Sequence, residues 1–281
     1  MKTVLLPTDF SDDAWNAIFT ALKMFETADC NFVLLNSFEP KITNLLGNKS
    51  KERLGFIYDS LSKNSKDQLK KTIDYLKVNH ARDNHVFESV SISSNLESAI
   101  KQIVGQMDVD FIVMGTKGAT GAKEVFMGSN TVRVIKKVRN RPIIAVPRGY
   151  DFKNLKKVVF PTDFSRTYDK RELRQLLDLV GLWKAEITIL QVTQKHELNE
   201  DKTEHKKKLS RYLKGVDHSF HEVGMGINVA KAITGFAEEN DADLIALIHY
   251  EHTFMEKLTR EPVIKKMGFH ATLPILILPD V

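Results

Sequence analysis

The chain has 281 residues, 42% of them hydrophobic and 27% charged, with a formal net charge of +5. That balance is the one of a soluble globular protein, and the length suits two domains of about 140 residues better than one small core. A single cysteine, Cys30, excludes an internal disulfide and points to a reducing compartment, and no apolar run approaches the length of a membrane span.

The first residues, MKTVLLPTDFSDD, have one lysine and an apolar run broken by Pro7 and Asp9, so no signal peptide is expected and the location is read as cytoplasmic. A first strand is predicted from Thr3 to Pro7. Ser11 is a good helix N-cap, Asp12 and Asp13 favour the positive end of the helix dipole, and Ala14, Ile18, Ala21, Leu22 and Phe25 recur at helical spacing. Phe32 to Leu35 is a second buried strand ending near Asn36 and Ser37, with Cys30 just ahead of it as a small buried hydrophobe. A long connection from Phe38, with Pro40 and Gly47, precedes a polar helix that turns Leu61, Leu69, Ile73 and Leu76 to one face. Val86 to Ile92 is a third strand, and Asn95 to Gln106 is a helix.

The next stretch, Asp108 to Thr131, organises the chain. The apolar run Phe111 to Met114 ends in Gly115, and Gly118, Gly121 and the pair Gly128-Ser129 follow before a helical pattern resumes at Val132. Glycine lets the backbone approach a ligand closely, and the free N–H groups of a helix start favour negative charge, so the stretch reads as a phosphate cradle. Arg141 to Pro147 supplies a fifth strand, whose bounding prolines suit a sheet edge. Strands alternating with helices imply a parallel sheet covered on both faces.

The pattern then restarts. Val158 to Ser165 repeats Val4 to Ser11, with PTDFS identical. In the same order, Ile187-Thr188-Ile189-Leu190 echoes Phe32 to Leu35, Asn228 to Ile233 echoes Asn95 to Ile100, Asp241-Ala242-Asp243 echoes Asp108-Val109-Asp110, and Leu273 to Pro279 echoes Arg141 to Pro147. The chain is a tandem duplication joined at about residues 148 to 157. The first copy carries about twenty extra residues, mostly in the connection from Phe38 to Leu61, a candidate flap or partner surface.

Gly115, two residues, Gly118, nine residues, Gly128, Ser129 resembles the nucleotide-binding signature of the universal stress protein family, in its ATP-binding branch. It is neither a Walker A loop nor a G-x-G-x-x-G fingerprint. The resemblance implies a Rossmann-like α/β fold: two tandem open parallel five-stranded sheets, each in the order 3-2-1-4-5, with helices on both faces. The division would be 1–148 for a nucleotide-binding domain and 152–281 for a domain with a degenerate motif. In that strand order a crevice opens between strands one and four at their carboxyl ends. The ligand implied is ATP or another adenine nucleotide, with Mg²⁺ as an optional companion. Pro7, Thr8 and Asp9 would line one side, Asp9 accepting from the ribose or base region, and the backbone near Ser37 would line the adenine pocket. Met114, Gly115, Lys117 and Gly118 would wrap ribose and α-phosphate. Gly128, Ser129, Asn130 and Thr131 would give N–H and hydroxyl donors to the phosphates, with Lys117 and Lys123 offsetting charge. For Asp9 and Asp163 a local turn interaction is the rival reading.

The second copy has no glycine between Ile248 and Gly268, and His249, Tyr250, Glu251 and Phe254 stand where bare backbone is needed. Nucleotide is not expected there. His218-x-x-His221 falls in a strand, where a period of two turns the rings to opposite faces, and His249-x-x-His252 is no better, so no metal site is expected. Gly224-Met225-Gly226 reads as a turn. The basic runs Lys136 to Arg141 and Lys206 to Lys208 read as solvated helix faces, which disfavours nucleic acid. No nucleophile, base and orienter come together, so no catalytic residue is assigned. Three functions follow in order: an ATP-binding stress-response regulator with an unidentified protein partner, a slow ATPase or phosphoryl or nucleotidyl transferase, and a nucleotide-free scaffold. The resemblance also implies that the fifth strands of the two copies meet in an intramolecular pseudo-dimer, with pairing of whole chains left open.

Overall fold

A computed structural model describes residues 1–40, 50–116, 128–193, 200–224, 229–249 and 272–279 of the chain. The first half runs β1 (Lys2–Pro7), α1 (Asp12–Met24), β2 (Cys30–Ser37), α2 (Ser50–Asn79), β3 (His85–Ile92), α3 (Leu96–Gln106), β4 (Phe111–Gly115), α4 (Ser129–Lys137) and β5 (Ile143–Val146). The second half runs β6 (Lys157–Thr162), α5 (Lys170–Trp183), β7 (Glu186–Thr193), α6 (Glu200–Tyr212), β8 (His218–Gly224), α7 (Val229–Glu239), β9 (Leu244–Ile248) and β10 (Ile275–Leu278).

The strands are continuous apolar runs because helices cover both sheet faces, and every residue of β4, β5, β9 and β10 is buried. Each half has the expected order, β3-β2-β1-β4-β5 and β8-β7-β6-β9-β10. The two sheets are, however, one. β5 and β10 pair antiparallel, Ile144 opposite Leu276, giving a ten-stranded sheet. The prolines around β5 therefore do not mark an outer edge. Pro142 and Pro147 flank the four-residue strand without entering it, so neither removes a donor from the ladder.

Ser11 caps α1 as its sequence predicts, accepting from the Ala14 N–H at 3.3 Å, and Ala14, Ala17, Ile18, Ala21 and Leu22 form the buried stripe. The helix α2 begins at Ser50, earlier than the sequence pattern indicated, so much of the expected connection from Phe38 to Leu61 is helical. Among its described side chains burial begins at Ser65, with Leu69 and Leu76 buried on β2 and β3, while Phe56, Ile57 and Tyr58 are exposed. The helix after the glycine loop also starts earlier, at Ser129 rather than Val132.

The repeated Asp-x-Asp has one structural task in both halves. The Asp110 carboxylate accepts the Thr3 N–H at 2.8 Å, and Asp243 accepts those of Lys156 and Lys157 at 2.7 and 3.0 Å. Each aspartate fastens the start of the fourth strand to the start of the first.

Between the halves, Val146 leads into a segment that runs back along α1. Asn16 donates to the Pro147 carbonyl at 3.1 Å, Lys23 pairs with Asp151 at 2.9 Å, and Tyr150 donates to the Asp243 carbonyl at 3.3 Å. Trp183 donates its indole N–H to the Met24 carbonyl at 2.8 Å, and Lys2 pairs with Asp178 at 3.0 Å, so α1 and α5 are tied across the seam.

Candidate functional site

The parallel ladder between β1 and β4 contains only Val4 opposite Phe111 and Leu5 opposite Ile112, whereas β1 pairs with β2 over its full length. Past Leu5 and Ile112 the two strands part, which opens a crevice where the winding reverses. Across its mouth stand Ser37 at the end of β2, Pro7, Thr8 and Asp9 at the end of β1, and Met114 and Gly115 at the end of β4. Pro7, Thr8 and Met114 are buried and Asp9 is exposed.

The β1 exit is shaped by local bonds. The Phe10 N–H donates to Thr8 Oγ1 at 3.0 Å, and Ser11 donates both its N–H, at 3.1 Å, and its hydroxyl to Asp9 Oδ1. Phe10 takes a positive φ of 64° to make this turn. The second half repeats it, with Phe164 at 55°, its N–H on Thr162 Oγ1 at 2.9 Å and Ser165 N–H on Asp163 at 3.0 Å. PTDFS therefore encodes a turn in both halves.

Lys117, Gly118, Gly121 and Lys123 lie outside the described residues, but both ends of their loop are described and they are tied together. The Gly128 N–H donates to the Thr116 carbonyl, and Thr131 Oγ1 donates to the Gly115 carbonyl at 2.9 Å. Thr116 is itself held to β5 through Val146 at 2.8 Å. This neck brings Gly115 and Thr116 against Gly128 to Thr131. The N-cap of α4 is Gly128, which offers no side-chain cap, and the first helical bond is Val132 N–H to Gly128 carbonyl. The N–H groups of Ser129, Asn130 and Thr131 therefore have no acceptor within the helix. The Thr131 hydroxyl is buried and spent on Gly115, so what Thr131 offers outward is its N–H rather than its side chain. Ser129 and Asn130 are exposed.

One residue not singled out from sequence is Asn36. Its buried amide donates to the Thr8 carbonyl at 2.7 Å and holds the end of β1 against β2. A polar side chain closing the apolar run Phe32 to Leu35 was the available signal.

In the second half the exit of β6 is packed with side chains. Four residues separate Ser165 from the start of α5, and its cap is Asp169, in a capping box with Glu172. Asp169 is held well below the usual carboxylate range, at about 2, chiefly by the Arg171 side chain. Glu172 is 1% exposed and accepts from Arg166 at 2.6 Å and from the Asp169 N–H at 2.7 Å. Tyr168 is buried with its hydroxyl on Thr162, and burial pushes its phenol far up. Phe164 is fully buried beneath His205, which meets the Phe164 carbonyl at 2.8 Å. Asp163 is buried where Asp9 is exposed.

The remaining candidates have structural settings. Cys30 is the buried first residue of β2, and burial pushes its thiol up to about 11. His218 meets Ser210 of α6 while His221 packs on Phe236 of α7, so the two rings do face opposite ways. His249 is buried, and His252 lies outside the described residues. Among the described residues no three His, Cys, Asp or Glu converge as for a metal ion, and no helix is long and apolar enough to cross a membrane.

Duplicated Rossmann-like halves in the order 3-2-1-4-5, with a crevice at the strand reversal, define the class of protein. The sequence profile of the Universal stress protein family matches residues 1–147. Universal stress protein MJ0577 of Methanocaldococcus jannaschii is 30% identical over 159 residues, covering 52% of this chain and 95% of that protein. The crystal structure of a universal stress protein from Archaeoglobus fulgidus superposes with a TM-score of 0.67 over 99% of this chain and 96% of its own, at 15% identity. Protein PA1789 of Pseudomonas aeruginosa does so with a TM-score of 0.62 over 99% and 92%, at 10% identity, and both of these likenesses concern the fold alone. The chain belongs to the universal stress protein family.

Proposed function

We propose that the chain is a tandem universal stress protein whose first domain, 1–148, holds ATP or another adenine nucleotide, and whose second, 152–281, does not. Its role is that of a stress-response regulator in the cytoplasm, read by a protein partner through nucleotide occupancy. The observation that carries the reading is the tied neck, which sets three helix-start N–H groups without intrahelical acceptors beside the opening between β1 and β4. In this reading the N–H groups of Ser129, Asn130 and Thr131 take phosphate oxygens and Gly115, Lys117 and Gly118 wrap the ribose and α-phosphate. Asp9 takes the ribose or base region, and the Ser37 backbone borders the adenine. Mg²⁺ would supply further charge neutralisation at the phosphates. Burial of Tyr168, Phe164 and the Arg166–Glu172 pair at the exit of β6, together with the loss of the glycine pattern after β9, supports restriction of binding to one site per chain.

The test is equilibrium binding of ATP to the wild type and to the double variant Gly118→Val, Gly128→Val. One equivalent per chain is expected, weakened about a hundredfold or more in the variant. Equal affinity, or two equivalents, overturns the assignment. Hydrolysis needs a placed metal carboxylate and a water-positioning group beyond Asp9 and the loop lysines, so binding without significant turnover is the favoured form. Mg²⁺-dependent turnover well above an Asp9→Ala, Lys117→Ala control would replace it. Absence of both bound nucleotide and a thermal shift with ATP would leave a scaffold.

A further inference from the structure

A second concavity, of ≈ 350 Å³, lies on the outer surface of α1 and shares no residue with the crevice. Its floor is Asn16, Phe19, Thr20 and Lys23. One wall is Tyr75 and His80 at the end of α2, and the other is the segment Gly149–Phe152 between the halves. Its rings are preassembled: Phe19 and Tyr75 lie 5.1 and 5.8 Å from His80, and Trp15 backs both at 5.5 Å. Tyr150 faces them, its phenol pushed up to about 12 chiefly by burial and so neutral at ordinary pH.

Thr20 is the informative residue. It is 2% exposed, its hydroxyl has no partner among the described residues, and the oxygen is not among their fully buried unpartnered atoms, so the little of it that is open faces the groove. Mid-helix threonines usually bond back to the carbonyl four residues earlier, as Thr72 does to Gln68 at 2.9 Å and Thr234 to Ala230 at 3.0 Å. Thr20 does not, and it lines the groove instead. Beside it, Asn16 spends its amide N–H on Pro147 and keeps its oxygen as an acceptor. The formal charges at the rim cancel, because Lys23 is paired with Asp151.

We propose that this groove binds a neutral, planar heteroaromatic small molecule of one or two fused rings, stacked among Phe19, Tyr75 and Tyr150 with its polar edge on Thr20 and Asn16. The rings of Phe19, Tyr75, His80 and Tyr150 favour a flat ligand, the unbonded hydroxyl and the amide oxygen call for a donor-acceptor edge, and the closed ion pair gives no advantage to a charged ligand. The volume is at the lower end for a small-molecule site, which fits one ring system and not a nucleotide. Since one wall is the segment joining the halves, an occupant would clamp that segment to α1.

Benzimidazole serves as the probe, followed by saturation-transfer NMR on the full chain with ATP in excess. Saturable binding in the presence of ATP is expected. Thr20→Val, which keeps the shape and removes the hydroxyl, should weaken it about tenfold, and Tyr75→Ala, at a half-exposed position that folding tolerates, by at least as much. The cation 1,3-dimethylbenzimidazolium and the anion benzoate should bind more weakly than the neutral probe. Wild-type affinity in both variants, no saturable binding up to the millimolar range, or equal binding of a charged probe overturns the proposal.

Discussion

His85 opens β3 with a buried ring, one nitrogen 3.3 Å from the Phe25 carbonyl and the other, Nδ1, buried without a partner. Burial holds its pKa below the ordinary value, so the fold favours the neutral ring. Between the folded value and the unfolded one, about 6.5, the unfolded chain binds the extra proton. The stabilisation is therefore complete above about pH 6.5 and is lost as pH falls through the folded value. Urea midpoints should fall on acidification from about pH 7.5 to about pH 5, and His85→Phe, placed against Phe32, should flatten that slope. An unchanged slope would assign the acid sensitivity to other groups. Individual side chains were read unevenly from sequence. Cys30 behaves as the small buried hydrophobe expected of it, but the Thr131 hydroxyl turns inward to Gly115, and no local pattern announces where a hydroxyl will find its acceptor.

Strands are fastened by the aspartates that the duplication keeps. Asp243 accepts two backbone N–H groups and Asp110 one, and both are half-buried. Charge-assisted bonds of this kind contribute about 1.5–3 kcal/mol each. Asp110→Ala should cost about 1.5 kcal/mol and Asp243→Ala about 3 kcal/mol in denaturant unfolding. Equal losses would mean that the second bond of Asp243 contributes nothing. Helix starts show how a motif can be shared and its outcome differ. PTDFS makes the same turn twice, yet α1 begins at once behind Ser11 while α5 waits for the Asp169–Glu172 box. The residues after the motif decide, since Asp12 and Asp13 suit a first turn and Arg166 is drawn to Glu172 instead.

In the molecule as a whole, β5 and β10 are buried at the centre of one sheet, and each protects the other from presenting an apolar edge. A fragment of residues 1–148 would expose Ile143 to Val146 with unpaired backbone. It should self-associate in micromolar solution, and Ile144→Lys should return it to a monomer. Sedimentation velocity distinguishes the two, and a monomeric unmodified fragment would show that the seam is not what satisfies this strand. The tie of Trp183 to Met24 and the pair Lys2–Asp178 reinforce the same junction from one face.

The sequence by itself determined the duplication, the alternation of strands and helices and the order of elements. These depend on local periodicity, turn chemistry and glycine placement, all written within a few neighbouring positions. Tertiary structure alone decided that β5 and β10 align antiparallel with Ile144 opposite Leu276, that Thr116 and Gly128 close the neck, and that Tyr168 meets Thr162 while Glu172 closes a capping box behind the second turn. Each of these joins groups whose meeting depends on packing and backbone direction, which residue types do not specify.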